Sequence, residues 1–383
     1  MDEIYGEGSH SEKREEAGFI LQLSITGRCN LRCTHCYDDA EDHQDMPVES
    51  CENILDQFFA LCCLWKRTPV IWLTGGEPTL HPQFWHILDY IKIHSDLINA
   101  HSLVAVLSNG INFTEEFVKR LEEHPLDIYV QISLDGARAE THDAIRGKGS
   151  FEKAVAALEL LTPTAIETHI HFVVHRDNYD DAFTMPDVAK ALGADVLTVT
   201  RLVPWGRGGK LYEKMLSPEQ VKNLFKSLSD DLDEIMDADD SPGALISRAR
   251  CDWPIIYPDP STPEASTKNG FRCGVGRSYI NIQENGDVYP CRRMPIKIGN
   301  VFEEDLMTIW QHPLLWKFRR KHRFVQGKCQ ECFFNVEAPR ICSGGASCIA
   351  YAVYNDPFQP DPQCPVDPSQ APAGTDRENH VLH

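Results

Sequence analysis

Fourteen cysteines, sharply clustered, constrain this chain more than any other feature of its 383 residues. Cys29, Cys33 and Cys36 share one short stretch, Cys51, Cys62 and Cys63 follow, and no cysteine then occurs until Cys251. The other seven, Cys273, Cys291, Cys329, Cys332, Cys342, Cys348 and Cys364, crowd the C-terminal third. Small disulfide scaffolds are far denser in cysteine, and a reducing cytosol does not keep disulfides, so metal explains the pattern better. A cytoplasmic chain without a membrane anchor is expected. No apolar run approaches the roughly 18 residues of a membrane span, and the stretch before Gly18 lacks the basic start and apolar centre of a signal peptide. A formal charge of −20 argues against nucleic acid as a partner. One short cationic stretch, Lys317, Arg319, Arg320, Lys321 and Arg323, runs against that balance.

Apolar, partly β-branched segments at Ile20–Ile25, Val70–Leu73, Leu103–Leu107, Ile128–Leu134, Ile170–Val174 and Val196–Val199 predict six strands. Helix-like stretches at about 48–66, 82–93, 115–123, 151–161 and 185–192 separate them, the pattern of a parallel α/β sheet. The strands run into polar or glycine turns: Thr26-Gly27, Thr74-Gly75-Gly76, Ser108-Asn109-Gly110 and Asp135-Gly136. Ligands of such folds bind at the carboxyl ends of the strands, which makes these turns the expected site. A helix-like stretch at 218–236 follows, and proline, serine and threonine then mark a linker. Glu284-Asn285-Gly286-Asp287 predicts a hairpin over Ser278–Tyr289. The expected organisation is a tail at 1–17, an α/β unit at 18–240, a linker at 241–270, a cysteine-rich domain at 271–365 and a disordered tail at 366–383.

Directly after the first strand, Cys29-Asn30-Leu31-Arg32-Cys33-Thr34-His35-Cys36 offers three thiolates, which would leave one iron of a 4Fe-4S cluster without a protein ligand. A zinc knuckle with His35 or Cys51 as fourth ligand is the alternative on this loop alone. The loop, Gly75-Gly76-Glu77-Pro78, Ser108-Asn109-Gly110 and Ser133-Leu134-Asp135-Gly136, in order at successive strand ends, resemble the radical S-adenosylmethionine (SAM) superfamily. His142-Asp143 through Arg146-Gly147, with Gly149 and Phe151, is similar to the form in its peptide-modifying branch. The resemblance implies a partial (β/α)6 TIM-type barrel. Cys29, Cys33 and Cys36 would hold the cluster, and its open iron would chelate SAM, which is cleaved reductively to a 5'-deoxyadenosyl radical that abstracts hydrogen. Gly75 and Gly76 would meet the methionine amino group, and Glu77 would hold that turn or assist the amine. Ser108, Asn109, Ser133 and Asp135 would serve the ribose and methionyl end. Arg146 would bind the SAM carboxylate, and the imidazole of His35 has no evident role. A low-potential donor such as flavodoxin or ferredoxin is implied as a partner.

The C-terminal cysteines, in order, are similar to the SPASM domain, which holds auxiliary iron-sulfur clusters. By that resemblance Cys329, Cys332, Cys342 and Cys364 form the second auxiliary site, and Cys273, Cys291 and Cys348 the first. The interval from Cys332 to Cys342 is longer than the usual pattern, and no thiol follows Cys273 closely, where many relatives have one. Either Cys251 completes the first set or one iron stays open to substrate. One or two zinc ribbons remain the alternative for this region. Cys51, Cys62 and Cys63 read as packing residues of a helix.

SPASM enzymes commonly act on peptides or proteins, forming crosslinks or oxidising side chains. Sulfatase maturases carry an aspartate after the hairpin-closing cysteine, where this chain has Arg292 and then Arg293. The expectation is therefore a radical SAM enzyme acting on a ribosomal peptide or protein, with Arg292 and Arg293 touching an acidic group of the substrate. A short N-terminal stretch leaves leader binding, where there is a leader, to another surface or a separate protein. The same chemistry on a small metabolite is the alternative, and a non-catalytic iron-sulfur or zinc-ribbon protein a remote one. Arg201–Gly209, after the sixth strand, reads either as a segment whose arginines and tryptophan bind substrate or cover SAM, or as a loop crossing the barrel mouth.

Overall fold

The computed structural model describes residues 18–38, 44–237, 250–251, 273–336, 342 and 344–368. The N-terminal tail at 1–17, nearly all of the linker and the last fifteen residues lie outside the described residues. Six parallel strands pair in sequence order: β1 (Phe19–Thr26), β2 (Pro69–Gly75), β3 (Leu103–Ser108), β4 (Asp127–Ser133), β5 (Glu167–Val174) and β6 (Val196–Arg201). Helices α1 (Val48–Trp65), α2 (Phe84–Leu97), α3 (Glu115–Glu122), α4 (Ala139–Arg146), α5 (Ser150–Leu161), α6 (Met185–Ala191) and α7 (Pro218–Asp237) connect or follow them. This is the expected partial (β/α)6 barrel. The α4 helix is the one barrel helix that periodicity missed, because its eight residues carry a single large apolar side chain, Ile145.

The strands have two unlike faces, as their period of two requires. Leu21, Leu23 and Ile25 of β1, Ile71 and Leu73 of β2, Val104 and Val106 of β3, and Val130 and Ile132 of β4 join one core with Ile54, Leu55 and Phe58 of α1 and Ile87, Leu88 and Ile91 of α2. Alternate residues, among them Gln22, Ser24, Thr74, Gln131, Ser133, His171 and Thr200, stand on the inner face. A closed barrel of this type fills that space with branched apolar side chains. Here the inner face is polar, which suits a bound ligand better than a packed centre.

A short strand continues the sheet at each end. Beyond β6, β7 (Arg250–Cys251) pairs in parallel, Cys251 lying beside Val199. Beyond β1, β8 (Tyr279–Ile282) pairs in parallel from Ile20↔Tyr279 to Leu23↔Ile282. The expected hairpin returns as β9 (Asp287–Tyr289), and β10 (Gly299–Asn300) adds antiparallel to it. Gly286 takes φ +82° at the turn, a conformation open to glycine. The C-terminal region therefore shares the barrel's sheet. It also packs on the outside, where Trp310 lies 5.0 Å from the Phe19 ring and Leu306 N donates to Gln57 Oε1 at 2.7 Å. Among the described residues no helix is long and apolar enough to cross a membrane.

At the far end of the sheet, Arg201 closes the assembly. Its Nη2 and Nη1 donate to Asp361 at 2.7 and 3.1 Å, and Nη1 also to Gln363 Oε1 at 3.0 Å. Both charges are buried, so losing one strands the other. Asp361→Ala is expected to cost about 3–5 kcal/mol, read as a fall in melting temperature. The double variant Arg201→Met, Asp361→Leu should recover much of that loss.

Candidate functional site

The loop carrying Cys29, Cys33 and Cys36 leaves the end of β1 and is held on three sides by backbone. Beneath it, Gly76 N donates to Thr26 O and Glu77 N to Arg28 O, each at 2.8 Å. A Cβ on Gly75, whose φ is +141°, would lie 2.0 Å from Thr26 O, and one on Gly76 would lie 2.3 Å from Arg28 O. The two glycines are thus required by the contact between the β2 turn and the cysteine loop. On a second side, Thr34 N donates to Ile145 O at 2.8 Å, tying the loop to α4. The third side is the segment after β6: Arg207 Nε donates to Cys33 O at 3.1 Å and Gly208 N to Cys36 O at 3.0 Å. Gly206 lies so close that a Cβ would stand 2.3 Å from Tyr37 O. Residues 206–208 thus brace the cysteine loop, a role that neither reading of residues 201–209 names.

The thiols converge. Burial pushes the Cys33 thiol up to about 11; Arg146 pulls it down, while Cys36 and Cys29 raise it further. Cys29 is raised as well, by burial first and by Glu77 and Cys36 among nearby charges. Such a set deprotonates easily only with positive charge at its centre, which an iron cluster supplies. Among the described residues no three Cys, His, Asp or Glu side chains stand close enough to share a single metal ion. A 4Fe-4S cluster takes one thiolate per iron and needs a wider-set group.

Around the loop, the polar residues named from sequence bind one another. Glu77 is buried, and its carboxylate accepts from Ser108 Oγ and Asn109 N, both at 2.8 Å, and from Thr79 Oγ1 at 2.7 Å. Burial raises its pKa against these hydrogen bonds. Asn109 Nδ2 donates to Asn30 Oδ1 at 2.8 Å and approaches Cys29 Sγ at 3.9 Å. Asp135 is fully buried. It accepts from His35 Nε2 at 2.7 Å, Arg146 Nε at 2.5 Å and Val173 N at 2.8 Å. Burial works to raise its pKa, yet Arg146 and then His35 hold it well below the usual carboxylate range. Arg146 Nη1 lies 3.9 Å from Cys33 Sγ. His35, silent in the sequence, is thereby the third member of this buried hydrogen-bonded cluster. Ser133 closes β4 opposite His171, half-buried on the inner face.

Arg292 turns inward rather than toward solvent. Its Nη1 donates to Thr74 Oγ1 at 2.7 Å and its Nη2 to Gly75 O at 2.6 Å, so the cysteine-rich region touches the same β2 turn that supports the loop. Ser24 Oγ, Trp72 Nε1, His35 Nδ1 and Arg292 Nε are buried without a hydrogen-bond partner in the protein. Buried polar atoms are normally satisfied, and orphans gathered at one inner surface fit a space built for a bound group.

The C-terminal thiols form two groups. Burial, then Cys348 and Cys273, push Cys291 up to about 12, and Cys273 also acts on Cys348, so these three are neighbours. Of Cys251 only the backbone is described; its side chain lies outside the described residues. Cys329, Cys332, Cys342 and Cys364 line a single cavity with Gly345 and Asp361. Both donor sets fit iron-sulfur clusters. Cys51 and Cys62, by contrast, lie on the core face of α1, each pushed up to about 12 by burial. Cys63 is exposed.

Residues 23–185 match the model of the Radical SAM superfamily and residues 273–333 that of the SPASM iron-sulfur cluster-binding domain. The mycofactocin maturase MftC of Mycolicibacterium smegmatis is 31% identical over 94% of this chain and 86% of its own length. The AdoMet-dependent heme synthase of Methanosarcina barkeri is 27% identical over 92% and 97%. Among solved structures, Streptococcus suis SuiB bound to precursor peptide SuiA superposes with a TM-score of 0.66 at 17% identity, over 92% of this chain and 76% of that one.

Two outcomes follow from this geometry. Gly76→Ala should displace the cysteine loop and cost about four iron atoms per reconstituted chain, with the other iron kept. Burial holds His142 near 4 and His171 near 3, against an ordinary 6.5. His142 Nδ1 moreover accepts from Asp135 N at 3.1 Å, which a protonated ring cannot do. The unfolded chain therefore takes up protons that the folded chain refuses. Stability present above pH 6.5 is lost as pH falls toward 4, by about 3 kcal/mol for His142. Urea unfolding of the apoprotein between pH 7 and 4 reads this loss, and His142→Gln should flatten it.

Proposed function

The chain belongs to the radical SAM superfamily and carries a SPASM domain, and from that premise we propose that it modifies a ribosomally made peptide or a protein side chain. It is a radical SAM enzyme using SAM, a 4Fe-4S cluster and auxiliary clusters. Together, when bound, SAM and its cluster supply one-electron cleavage of a sulfonium C–S bond and a hydrogen-abstracting radical. In this reading Cys29, Cys33 and Cys36 hold the SAM-cleaving cluster. The Gly75 carbonyl and the turn fixed by Glu77, Ser108 and Asn109 receive the methionyl amine. Asp135 keeps Arg146 oriented, so that the rest of its guanidinium is available to a carboxylate. Cys273, Cys291 and Cys348 hold the first auxiliary cluster, and the cavity thiols Cys329, Cys332, Cys342 and Cys364 the second. Arg292 presents its unpartnered Nε toward the substrate space from the position that a maturase of sulfatases fills with aspartate. It donates only, so it orients an acceptor and does not act as a base.

The carrying observation is the maturase relative, 31% identical across nearly the whole chain. The heme synthase relative favours a second reading, the same chemistry on a small molecule, at lower identity. Anaerobic reconstitution should give about 12 iron atoms per chain for three 4Fe-4S clusters. Reduced enzyme should release 5'-deoxyadenosine from SAM, and Cys33→Ala should abolish this. Mass spectrometry of candidate precursor peptides after turnover decides the substrate. Uptake of zinc without iron would sink the whole reading, whereas SAM cleavage with every peptide unchanged and a tetrapyrrole consumed would replace the peptide by the small molecule.

A further inference from the structure

The cationic stretch at 317–323 remains unexplained by the barrel or by the thiol sites, and the structure divides it in two. Arg319 and Lys321 serve the interior. Arg319 Nε donates to Gly276 O at 2.7 Å and its Nη2 to Trp310 O at 2.6 Å. Lys321 is buried, and its Nζ donates at 2.8 Å to the carbonyl of Gly345, a wall residue of the four-thiol cavity. Lys317 and Arg323 face outward, and Arg320 lies with its guanidinium 4.6 Å from the centre of the Trp316 ring. Trp316 is itself 46% exposed. Arg320 is half-buried, and a third exposed cation, Arg277, joins them by donating to Arg319 O at 2.8 Å. Burial, then Arg323 and Arg277, lower the pKa of His322, which stands between those two charges. Among the described residues no ion pair joins Arg277, Lys317, Arg320 or Arg323 to a carboxylate.

A satisfied helix end explains Arg319, whose donors meet carbonyls, but not four cations without a carboxylate, of which Arg320 lies on Trp316 and Lys317 stands 5.8 Å from the centre of the neighbouring Phe324 ring. Exposed tryptophan with arginine is the composition of a binding hot spot. The patch also has a definite position. Arg277 follows Cys273, an exposed thiol of the first auxiliary set, and Lys321 leads inward to the second. A chain of net charge −20 repels acidic proteins at long range, and a local cationic surface is what lets one approach in a fixed orientation.

We propose that Arg277, Lys317, Arg320 and Arg323, set around Trp316, form the docking surface for an acidic one-electron carrier protein, which delivers reducing equivalents over the auxiliary thiols. The carrier loses one electron and the protein's iron-sulfur centres gain it. This rests on the radical SAM reading only in requiring a reductant; it is independent of the substrate.

The probe is an acidic flavodoxin and the protein is the reconstituted full chain. Lys317→Glu with Arg320→Glu should weaken flavodoxin binding about tenfold or more at low salt. The difference should vanish near 1 M salt, where the Debye length is about 3 Å. Lys153→Glu, on the outer face of α5, should bind as the parent does. Flavodoxin-driven bleaching of the cluster absorbance should slow in the double variant, while dithionite-driven bleaching keeps its rate. If the double reversal loses iron, Lys317→Gln with Arg320→Gln should show a smaller loss of binding with the same salt dependence. Unchanged flavodoxin binding overturns the proposal. So does equal slowing with dithionite, because a small reductant needs no docking. A variant that binds flavodoxin normally but a substrate peptide poorly assigns the patch to the peptide and overturns it as well. None of these readouts depends on peptide modification.

Discussion

The parallel pairing of β8 with β1 sets the geometry on which the rest of the protein depends. Neighbouring strands lie about 4.8 Å apart, held by a ladder of backbone hydrogen bonds. The cysteine loop departs from the carboxyl end of β1, and the chain that follows β8 and β9 arrives at Cys291. Two thiol groups that sequence separates by more than two hundred residues are thereby fixed to one sheet, on β1 and β9 with β8 between them. Side chains then refine the register: the Tyr279 hydroxyl donates to Gln22 Oε1 across the pair, and Arg292 reaches the Gly75 carbonyl. Arg201 and Asp361 do the same at the opposite edge.

Within that frame the candidate site is built largely of backbone. Gly75 and Gly76 bring one main chain against another, Gly206 and Gly208 repeat the device from the other side, and each leaves no room for a Cβ. Side chains mostly hold these turns in place. Glu77 is the example: its carboxylate accepts four hydrogen bonds, all from Thr79, Ser108 and Asn109, which makes it a strut joining the ends of β2 and β3. Asp135 plays a similar part for His35 and Arg146, at the cost of burying three ionisable groups together.

The sheet, its order and the location of the site were legible in sequence because they rest on local signals: apolar strands, glycine turns and closely spaced thiols. The hairpin was legible from Asn285-Gly286 alone. Pairings over long separations were not. Nothing near Arg201 announces Asp361, and nothing in Thr26-Gly27-Arg28 reveals that the next strand's glycines lie beneath it. Nor does the run Arg292-Arg293 announce that Arg292 reaches Thr74 and Gly75 with its two Nη atoms. For Arg207-Gly208 a signal did exist, since glycines that dense seldom serve a loop with nothing to approach. Its meaning depended on which backbone lay opposite.

Both outermost strands of the sheet, β7 and β10, are two residues long. An open parallel sheet normally presents long unpaired edges that another chain can extend, a route to aggregation. The edge of β1 carries Phe19, Ile20, Leu21, Leu23 and Ile25, and β8 covers its middle. The cysteine-rich region thus acts as a stopper for the sheet as well as a carrier of thiols, so a barrel severed from it would be sticky before it was inactive.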